Sequence, residues 1–374
     1  MIYVAWRMLV GDRVKYVSLV LGLAFAIMLI TQQGSIFIGI MRRTYSMLTD
    51  MGAVRVWVMD ADVQTPDDVK PLKDPDLLRV RSVPGIAWAV PLFKGQGRAR
   101  TRHGEFQNAM VLGLDSASLM GGPSEMLEGR ITDLYRQDAV IVDAPGALRL
   151  GGLKIGDVLE LNDRRAEVVG ICRTERNFQS LPVVYTTYSR AQGFVPAERH
   201  MLSFILTAPQ PGVSDAELAR RIRANTGLGA LPTDEFGWRT VRWYTRNTGI
   251  AINFGTTVLL GFFVGLAIAA QTFYTFTHEN LRHFAALKAM GAGDGKLVTM
   301  VLFQAVVSGL MGYGIGVGVA TLFGRSAPRG GPLAWHTPPE LLYGAFGLML
   351  VLVSIASVIS LRKVLTLEPG IVFK

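Results

Sequence analysis

The chain has 374 residues, of which 50% are hydrophobic and 18% charged, and its mean hydropathy is positive. This balance is typical of a membrane protein. The net charge of +9 lies mostly beside apolar segments, which argues against a nucleic-acid-binding protein, and the single cysteine, Cys172, excludes an internal disulfide framework.

The chain begins with a segment of mixed character. Residues 1–15 combine Tyr3 and Trp6 with basic side chains, which predicts a helix lying in the cytoplasmic membrane interface. Residues 16–41 are free of charge and long enough to cross roughly 30 Å of hydrocarbon as the first transmembrane helix, TM1. No small-x-small cleavage motif follows them, so we expect a retained anchor.

Residues 42–246 differ from the flanking segments because proline, glycine and charge occur throughout. We predict a folded domain with short strands, and the strand-like patterns are 54–59, 138–143, 157–161 and 165–171. A capped helix is predicted between Ser214 and Gly227. The domain is therefore expected to be mixed α+β.

Three further apolar windows follow, namely 247–277 (TM2), 297–323 (TM3) and 341–361 (TM4). They are joined by residues 278–296 and 324–340, and a tail of residues 362–374 ends the chain. The sequence thus predicts an α-helical membrane protein with four transmembrane helices in a 1+3 arrangement. A large α+β extracytoplasmic domain is inserted between helices 1 and 2.

Basic residues near the helix ends predict the orientation of the chain. The N-terminal segment, the 278–296 loop and the tail share one side and hold nine Lys or Arg against four Asp or Glu. Their excess of +5 places them in the cytoplasm, with both termini, whereas the 324–340 loop is only +1. The 42–246 domain is then periplasmic.

The 278–296 loop contains GAGDGK at residues 291–296, which invites comparison with a phosphate-binding loop. That motif needs a glycine five residues before Gly295 and a hydroxyl after Lys296, but Met290 and Leu297 stand there. We expect no nucleotide site. Residues 277–291 instead predict a short amphipathic helix that Gly291 ends.

Small residues recur four apart in two of the apolar windows, at Gly261 and Gly265 and at Gly312 and Gly316. Such spacing predicts close packing of helix backbones, either within one chain or between two. The windows hold no ionisable side chain, and Gln271 and Gln304 are expected to form hydrogen bonds across helices. This composition favours a helix bundle that transmits movement, as a lever does, over one that forms a polar channel.

Enzymatic motifs are weak. The five histidines show no metal-ligand spacing, and His103 with Glu105 is more typical of a polar hairpin tip. We expect no catalytic residue, no metal site and no cofactor in this chain.

Two stretches resemble a known family. Residues 129–143 and 147–171, GRITDLYRQDAVIVD and ALRLGGLKIGDVLELNDRRAEVVGI with a Gly156–Asp157 turn, resemble the external core domain of macrolide-exporter-type ABC permeases. The pattern E-x-x-R-x-x-A-x-L-K-A-M-G-A, from Glu279, resembles the FtsX-like permease domain, and its ALKAMGA wording is closest to DevC-type glycolipid exporter permeases. His283 departs from the acid found in many members.

The resemblance implies a mechanotransmission (type VII) permease of the bacterial inner membrane. Its expected partners are a cytoplasmic ATPase that binds ATP and magnesium, a second permease copy in a homodimer, and a periplasmic adaptor with an outer-membrane duct. The cargo is expected to be lipid-like or hydrophobic. The residues expected to couple to the ATPase are Glu279, Arg282, His283, Phe284, Leu287, Lys288, Met290 and Gly291.

Two alternatives stay open. The same lever is compatible with a signalling scaffold that activates a cell-wall hydrolase, or with a permease that extracts lipoproteins. The roughly 200 residues of the external domain favour adaptor docking or cargo handling over a small activating patch.

Overall fold

The computed structural model describes residues 2–101, 104–195, 202–326 and 333–365. They fall into two compact units. Among the described residues, the membrane unit is drawn from 2–39, 249–326 and 333–365, and the external unit from 40–248.

The described helices are α1 Ile2–Gly11, α2 Arg13–Thr44, α3 Ser46–Asp50, α4 Asp74–Arg81, α5 Ala144–Arg149, α6 Tyr188–Gly193, α7 Asp215–Thr226, α8 Thr233–Asn247, α9 Ile250–Glu279, α10 Leu281–Ala289, α11 Asp294–Ser326 and α12 Pro339–Leu365. The described strands are β1 Val56–Met59, β2 Ile86–Arg100, β3 Phe106–Leu114, β4 Glu125–Glu128, β5 Ala139–Asp143, β6 Val158–Leu161, β7 Arg164–Arg173, β8 Val183–Thr187, β9 Phe204–Pro209 and β10 Gly229–Pro232. A 3-10 helix covers Ile131–Tyr135.

Four helices are long and apolar enough to cross a membrane: Arg13–Thr44, Ile250–Glu279, Asp294–Ser326 and Pro339–Val358 within α12. The predicted 1+3 arrangement, with the large domain after the first helix, is confirmed. The helix bounds differ from the predicted windows. Residues 247–249 are not part of α9, since Asn247 ends α8 and Thr248 is extended. The first residues of the predicted tail continue α12 to Leu365, and residues 366–374 lie outside the described residues.

The membrane unit is built around α2. Leu23 and Ile27 of α2 are fully buried in one cluster with Phe273 of α9 and with Met349 and Leu352 of α12. Part of the predicted 324–340 loop also packs on α2, because the Ser35 and Thr337 hydroxyls lie 2.8 Å apart and His336 donates its backbone N–H to the Ser35 carbonyl. Residues 327–332 of that loop lie outside the described residues.

The external unit is one ten-stranded sheet in the order β10-β1-β9-β2-β3-β8-β5-β7-β4, with β6 pairing β2 and β7. The long strand β2 joins its two halves, since Ile86–Leu92 pairs with β9 and Phe93–Arg100 pairs with β3. All five residues of β5 and of β8 are buried, as expected for strands covered on both faces.

The four predicted strands are confirmed as β1, β5, β6 and β7, and the structure is more sheet-rich than the pattern indicated. Sequence reasoning did not identify the β2–β3 hairpin as two long strands, although Glu105 lies at its tip as expected; His103 lies outside the described residues. The predicted turn before β6 is confirmed, with Gly156 at φ +88° and the Lys154 N–H donating to the Asp157 carboxylate at 2.6 Å.

Helix α7 ends as predicted. The Ser214 hydroxyl accepts the Glu217 N–H at 3.2 Å, and Gly227 adopts a left-handed conformation with φ of 72°. Buried Leu218 and Ile222 of this helix pack into a core cluster with Val56 and Val58 of β1. The helix therefore covers one face of the β10-β1-β9 half of the sheet.

Candidate functional site

The predicted coupling segment forms two helices rather than one. Helix α9 continues to Glu279, and the chain then turns at Asn280, whose side chain donates to the Phe276 carbonyl at 2.9 Å. Helix α10 begins at Leu281. The prediction of one amphipathic helix from residue 277 is therefore wrong at its start, because Asn280 satisfies the last turn of α9 and ends that helix.

Gly291 terminates α10 as expected. It has φ of +91°, its N–H donates to the Lys288 carbonyl at 3.0 Å, and the Ala292 N–H donates to the Leu287 carbonyl at 3.0 Å. These two bonds form a Schellman motif, which needs a left-handed residue at the position of Gly291 and therefore favours glycine. GAGDGK is thus the exit from α10 and the start of α11 at Asp294.

The apolar face of α10 is an anchor inside the chain. Phe284 is 1% exposed and belongs to a buried cluster with Ala5 of α1 and with Leu297 and Met300 of α11. Leu287 packs half-buried against the same cluster. We call this group the coupling cluster. Phe284 was expected to touch a partner, but its burial makes it a positioning residue that holds α10 against α1 and α11.

A buried hydrogen bond also fixes α1. The Gln304 side-chain amide of α11, which is 1% exposed, donates to the Ala5 carbonyl of α1 at 2.8 Å. The predicted bond across helices is confirmed for Gln304, and its partner is the N-terminal helix. Gln271 is instead exposed on α9 and bonds to no other side chain in the described part of the chain.

Two of the predicted coupling charges are paired within the chain. Lys15 of α2 forms ion pairs with Glu279 and, at 2.8 Å, with Asp12. Lys288 lies 3.0 Å from the Asp294 carboxylate. The pairing of Glu279 ties the end of α9 to the start of α2, and that of Lys288 braces α10 against α11.

The exposed surface of α10 is therefore smaller than predicted. Arg282 and His283 are exposed at its start, and Met290 is 76% exposed at its end. Together with the flank of Lys288 they offer a mixed basic and apolar surface of the kind that a protein partner contacts.

Four glycines of the membrane helices lie against α2 of the same chain. A side chain at Gly312 would lie 2.6 Å from the Leu23 Cβ atom, and one at Gly316 would lie 2.5 Å from the Ala24 carbonyl oxygen. Gly265 faces Ala26 and Gly261 faces Leu29, both also on α2. Helices α9 and α11 thus approach the α2 backbone closely.

A second set of contacts lies in the external unit, where α2 ends and α8 precedes α9. The guanidinium of Arg42 lies 2.7 Å from the Glu175 carboxylate, and the Glu175 N–H donates to the Asp50 carboxylate at 3.1 Å. The rings of Phe178 and Tyr244 lie 4.9 Å apart. The loop of residues 174–181, which we call the junction loop, therefore links α2, α3 and α8.

Two carboxyls with raised pKa values lie here, the half-buried Asp50 and the buried Asp143. Burial, with Glu175 nearby, raises the pKa of Asp50 to about 7. Burial also raises the pKa of Asp143 to about 6, although the Val183 N–H donates to it at 2.6 Å. Sequence reasoning missed both groups, because the residues that bury them are distant in the chain.

Comparison with known proteins gives matches along most of the chain. Residues 18–225 match the family described as MacB-like periplasmic core domain, and residues 255–369 match that described as FtsX-like permease C-terminal. A protein of Mycobacterium tuberculosis (strain CDC 1551 / Oshkosh), described as an uncharacterized ABC transporter permease, is 25% identical over 305 residues. The match covers 81% of this chain and 79% of that relative.

Two solved structures are similar to part of this chain. The extracellular domain of the noncanonic ABC-type transporter YknZ from Gram-positive bacteria is 17% identical, covers 48% of this chain and 98% of its own, and has a TM-score of 0.35. The periplasmic region of MacB from Actinobacillus actinomycetemcomitans is 15% identical, covers 51% of this chain and 94% of its own, and has a TM-score of 0.40.

Proposed function

Since this chain belongs to the MacB/FtsX type of ABC transporter permeases, we propose that it transmits ATP-driven movement from a separate cytoplasmic ATPase to its external domain. The family implies an ATPase partner, and the chain is a multi-pass membrane protein. In this proposal both termini are cytoplasmic, the membrane is the bacterial inner membrane, and the external domain is periplasmic. ATP and magnesium bind to the partner, and this chain binds no cofactor.

The coupling cluster is the observation that carries the proposal. Phe284 packs with Ala5 of α1 and Leu297 of α11, and Gln304 of α11 also holds α1 by its hydrogen bond to the Ala5 carbonyl. If a partner displaces α10, the contacts of the coupling cluster therefore displace α1 and the N-terminal end of the membrane helix α11 as well. Close packing of α11 on α2 through Gly312 and Gly316 then passes the displacement to the helix that leads into the external unit.

Export of a lipid-like or hydrophobic substrate completes the proposal, with a homodimer of this chain and, outside the membrane, an adaptor and an outer-membrane duct. The membrane helices pack without an ionisable side chain in the predicted windows, so a hydrophilic path through them is disfavoured. The external domain of more than 200 residues offers the surface that an adaptor needs.

Purification of the full chain from native membranes, with crosslinking and mass spectrometry of proteins and lipids, tests the partners. We expect an ATPase crosslinked to α10, a second copy of the chain, and an adaptor or bound lipid. Recovery of a cell-wall hydrolase without adaptor or lipid would replace export with signalling, and recovery of lipoproteins would replace it with lipoprotein extraction.

Charge reversal on α10 tests whether this helix contacts the ATPase. Arg282→Glu places a carboxylate on the exposed start of α10 and should weaken ATPase binding, whereas Arg13→Glu, at the start of α2, serves as a charge-matched control outside α10. Equal recovery of the ATPase with wild type and with Arg282→Glu would reject α10 as the docking helix.

A further inference from the structure

Helix α8 carries an exposed stripe that the proposed function does not use. Trp238, Arg242 and Arg246 recur every four residues and are exposed, and Trp238 is 70% exposed. Residues at this spacing share one side of a helix. Trp243, 36% exposed, lies on the flank of the stripe with its ring packed edge-on against Tyr244. We call these four residues the α8 outer face.

The opposite side of α8 explains its fixed position in the external unit. Phe236 and Thr240 are fully buried, and Phe236 packs with Trp57 and Phe204 in the core. The Arg239 guanidinium also donates to the Val63 carbonyl at 3.2 Å. The outer face is therefore held outward by a well-packed inner face, so its exposure does not result from a loosely attached helix.

The charges on α8 are segregated along its length. Asp234 and Glu235 stand in the first turn, whereas Arg242 and Arg246 stand toward the end, and neither arginine forms an ion pair with a described residue. A helix C-terminus favours basic residues, which accounts for Arg246 in part. It does not account for two tryptophans exposed beside the arginines, since exposed large aromatic rings in a patch mark a contact surface.

Chain continuity indicates what covers the face. Only three residues, 247–249, separate Arg246 from Ile250, the first residue of the membrane-spanning helix α9. The two Cα atoms are therefore at most about 14 Å apart, even if the chain between them is extended. Thr248 is extended, with φ of −124° and ψ of 154°, so α8 does not continue rigidly into α9. The arginines thus lie close along the chain to a segment that meets lipid headgroups.

We propose that the α8 outer face docks onto the anionic headgroup layer of the bilayer next to the start of α9. Arginine binds phosphate through paired N–H donors, and tryptophan prefers the boundary between headgroups and acyl chains. The partner is the surrounding bilayer surface itself. The inference depends on α9 spanning the membrane and not on the cargo or on the ATPase.

Lipid selectivity in the full chain tests the arginines. The chain is reconstituted in mixed phosphatidylcholine and phosphatidylglycerol nanodiscs, and the lipids that stay bound after detergent exchange are counted by mass spectrometry. Each basic residue near an anionic bilayer surface strengthens the binding of the protein to that surface by about fivefold. The double variant Arg242→Gln with Arg246→Gln should therefore lower the preference of the chain for phosphatidylglycerol by roughly 25-fold.

A matched control and a fluorescence readout make the test specific. Arg165→Gln with Arg220→Gln removes two exposed external arginines that have carboxylate partners, and should leave lipid preference unchanged. Brominated phosphatidylglycerol should quench more tryptophan emission in wild type than in Trp238→Phe. Equal lipid preference in the two double variants, or equal quenching with and without Trp238, would overturn the proposal.

A second copy of the chain is the competing occupant. The native thiol of Cys172 is buried, so Trp238→Cys places an accessible thiol on the outer face. If the bilayer covers this face, the new thiol should react with a lipid-soluble maleimide and should not crosslink two copies. Efficient crosslinking through position 238 would show that a second copy covers the face and would overturn the proposal.

Discussion

The two units of this molecule hold their helices in different ways. In the described residues the coupling cluster has five buried members, contributed by α1, α10 and α11. The core around Trp57 in the external unit has 23 buried members from strands and helices across its sheet. Since local stability follows the number of buried apolar contacts, we expect α10 to be easier to displace than the elements of the external core. The proposed transmission needs this difference.

Removing the anchor of α10 should have the largest effect. Phe284→Ala deletes a buried ring from a small cluster, and such changes cost about 3–5 kcal/mol. We expect the 281–293 segment to become susceptible to limited proteolysis while the external unit stays resistant. ATPase stimulation by the permease should be lost.

Phe236→Ala in the external core is the matched variant, because Phe236 is equally buried. It should lower the thermal stability of the external unit and leave the 281–293 segment protected. If both variants expose the same cleavage sites, the two units do not differ as described.

Disrupting the contacts between the α11 glycines and α2 should have the second-largest effect. Gly316→Val forces a side chain against the Ala24 carbonyl and Ile27, and overpacking of this kind costs about 1–3 kcal/mol. Gly314→Val is the control, since a side chain there meets no described atom within 4 Å. Thermal unfolding in detergent should separate the two, and equal losses would contradict tight packing of α11 on α2.

Loss of the hydrogen bond between Gln304 and the Ala5 carbonyl should have the third-largest effect. Gln304→Leu keeps the volume but leaves the buried Ala5 carbonyl without that donor, at a cost of about 1–3 kcal/mol. Hydrogen exchange of α1 should increase, and exchange of α8 should not. Unchanged protection of α1 would show that the apolar contacts of the coupling cluster suffice to hold it.

The smallest expected effect concerns pH at the junction. The pKa of Asp50 rises from an ordinary 3.8 to about 7, so the folded state holds this proton more tightly. The resulting stabilisation is complete below the ordinary value and is lost as pH rises through about 7. Asp50→Asn should flatten the pH dependence of stability between these limits, as measured by thermal unfolding across this pH range. An unchanged pH profile in Asp50→Asn would contradict this.

Much of this architecture follows from sequence because its signals are local. Four charge-free windows predict the membrane helices, and Ser214 with Gly227 marks both ends of α7. The end of α10 at Gly291 is equally local, because a positive φ selects glycine. By contrast, the turn at Asn280, after which α10 begins, was missed because the helical periodicity of the sequence continues through it.

The roles of individual site residues depended on distant contacts. Phe284 is apolar and lies on the expected face, but its burial depends on Ala5, more than 270 residues away in sequence. Glu279 and Lys288 were expected to be available charges until Lys15 and Asp294 were found beside them. The exposed stripe of α8 went unnoticed because aromatic residues occur on both sides of this helix, and only the burial of Phe236 shows which side faces the core.

Hydrogen exchange of the junction loop, residues 174–181, in the full permease–ATPase complex with and without ATP tests transmission most directly. In wild type, ATP should change the protection of this loop, which contacts α3 and α8 through Glu175 and Phe178. In Phe284→Ala, with ATPase recovery and ATP binding verified, the change should be absent. A persistent ATP-dependent change in that variant would contradict transmission through the coupling cluster.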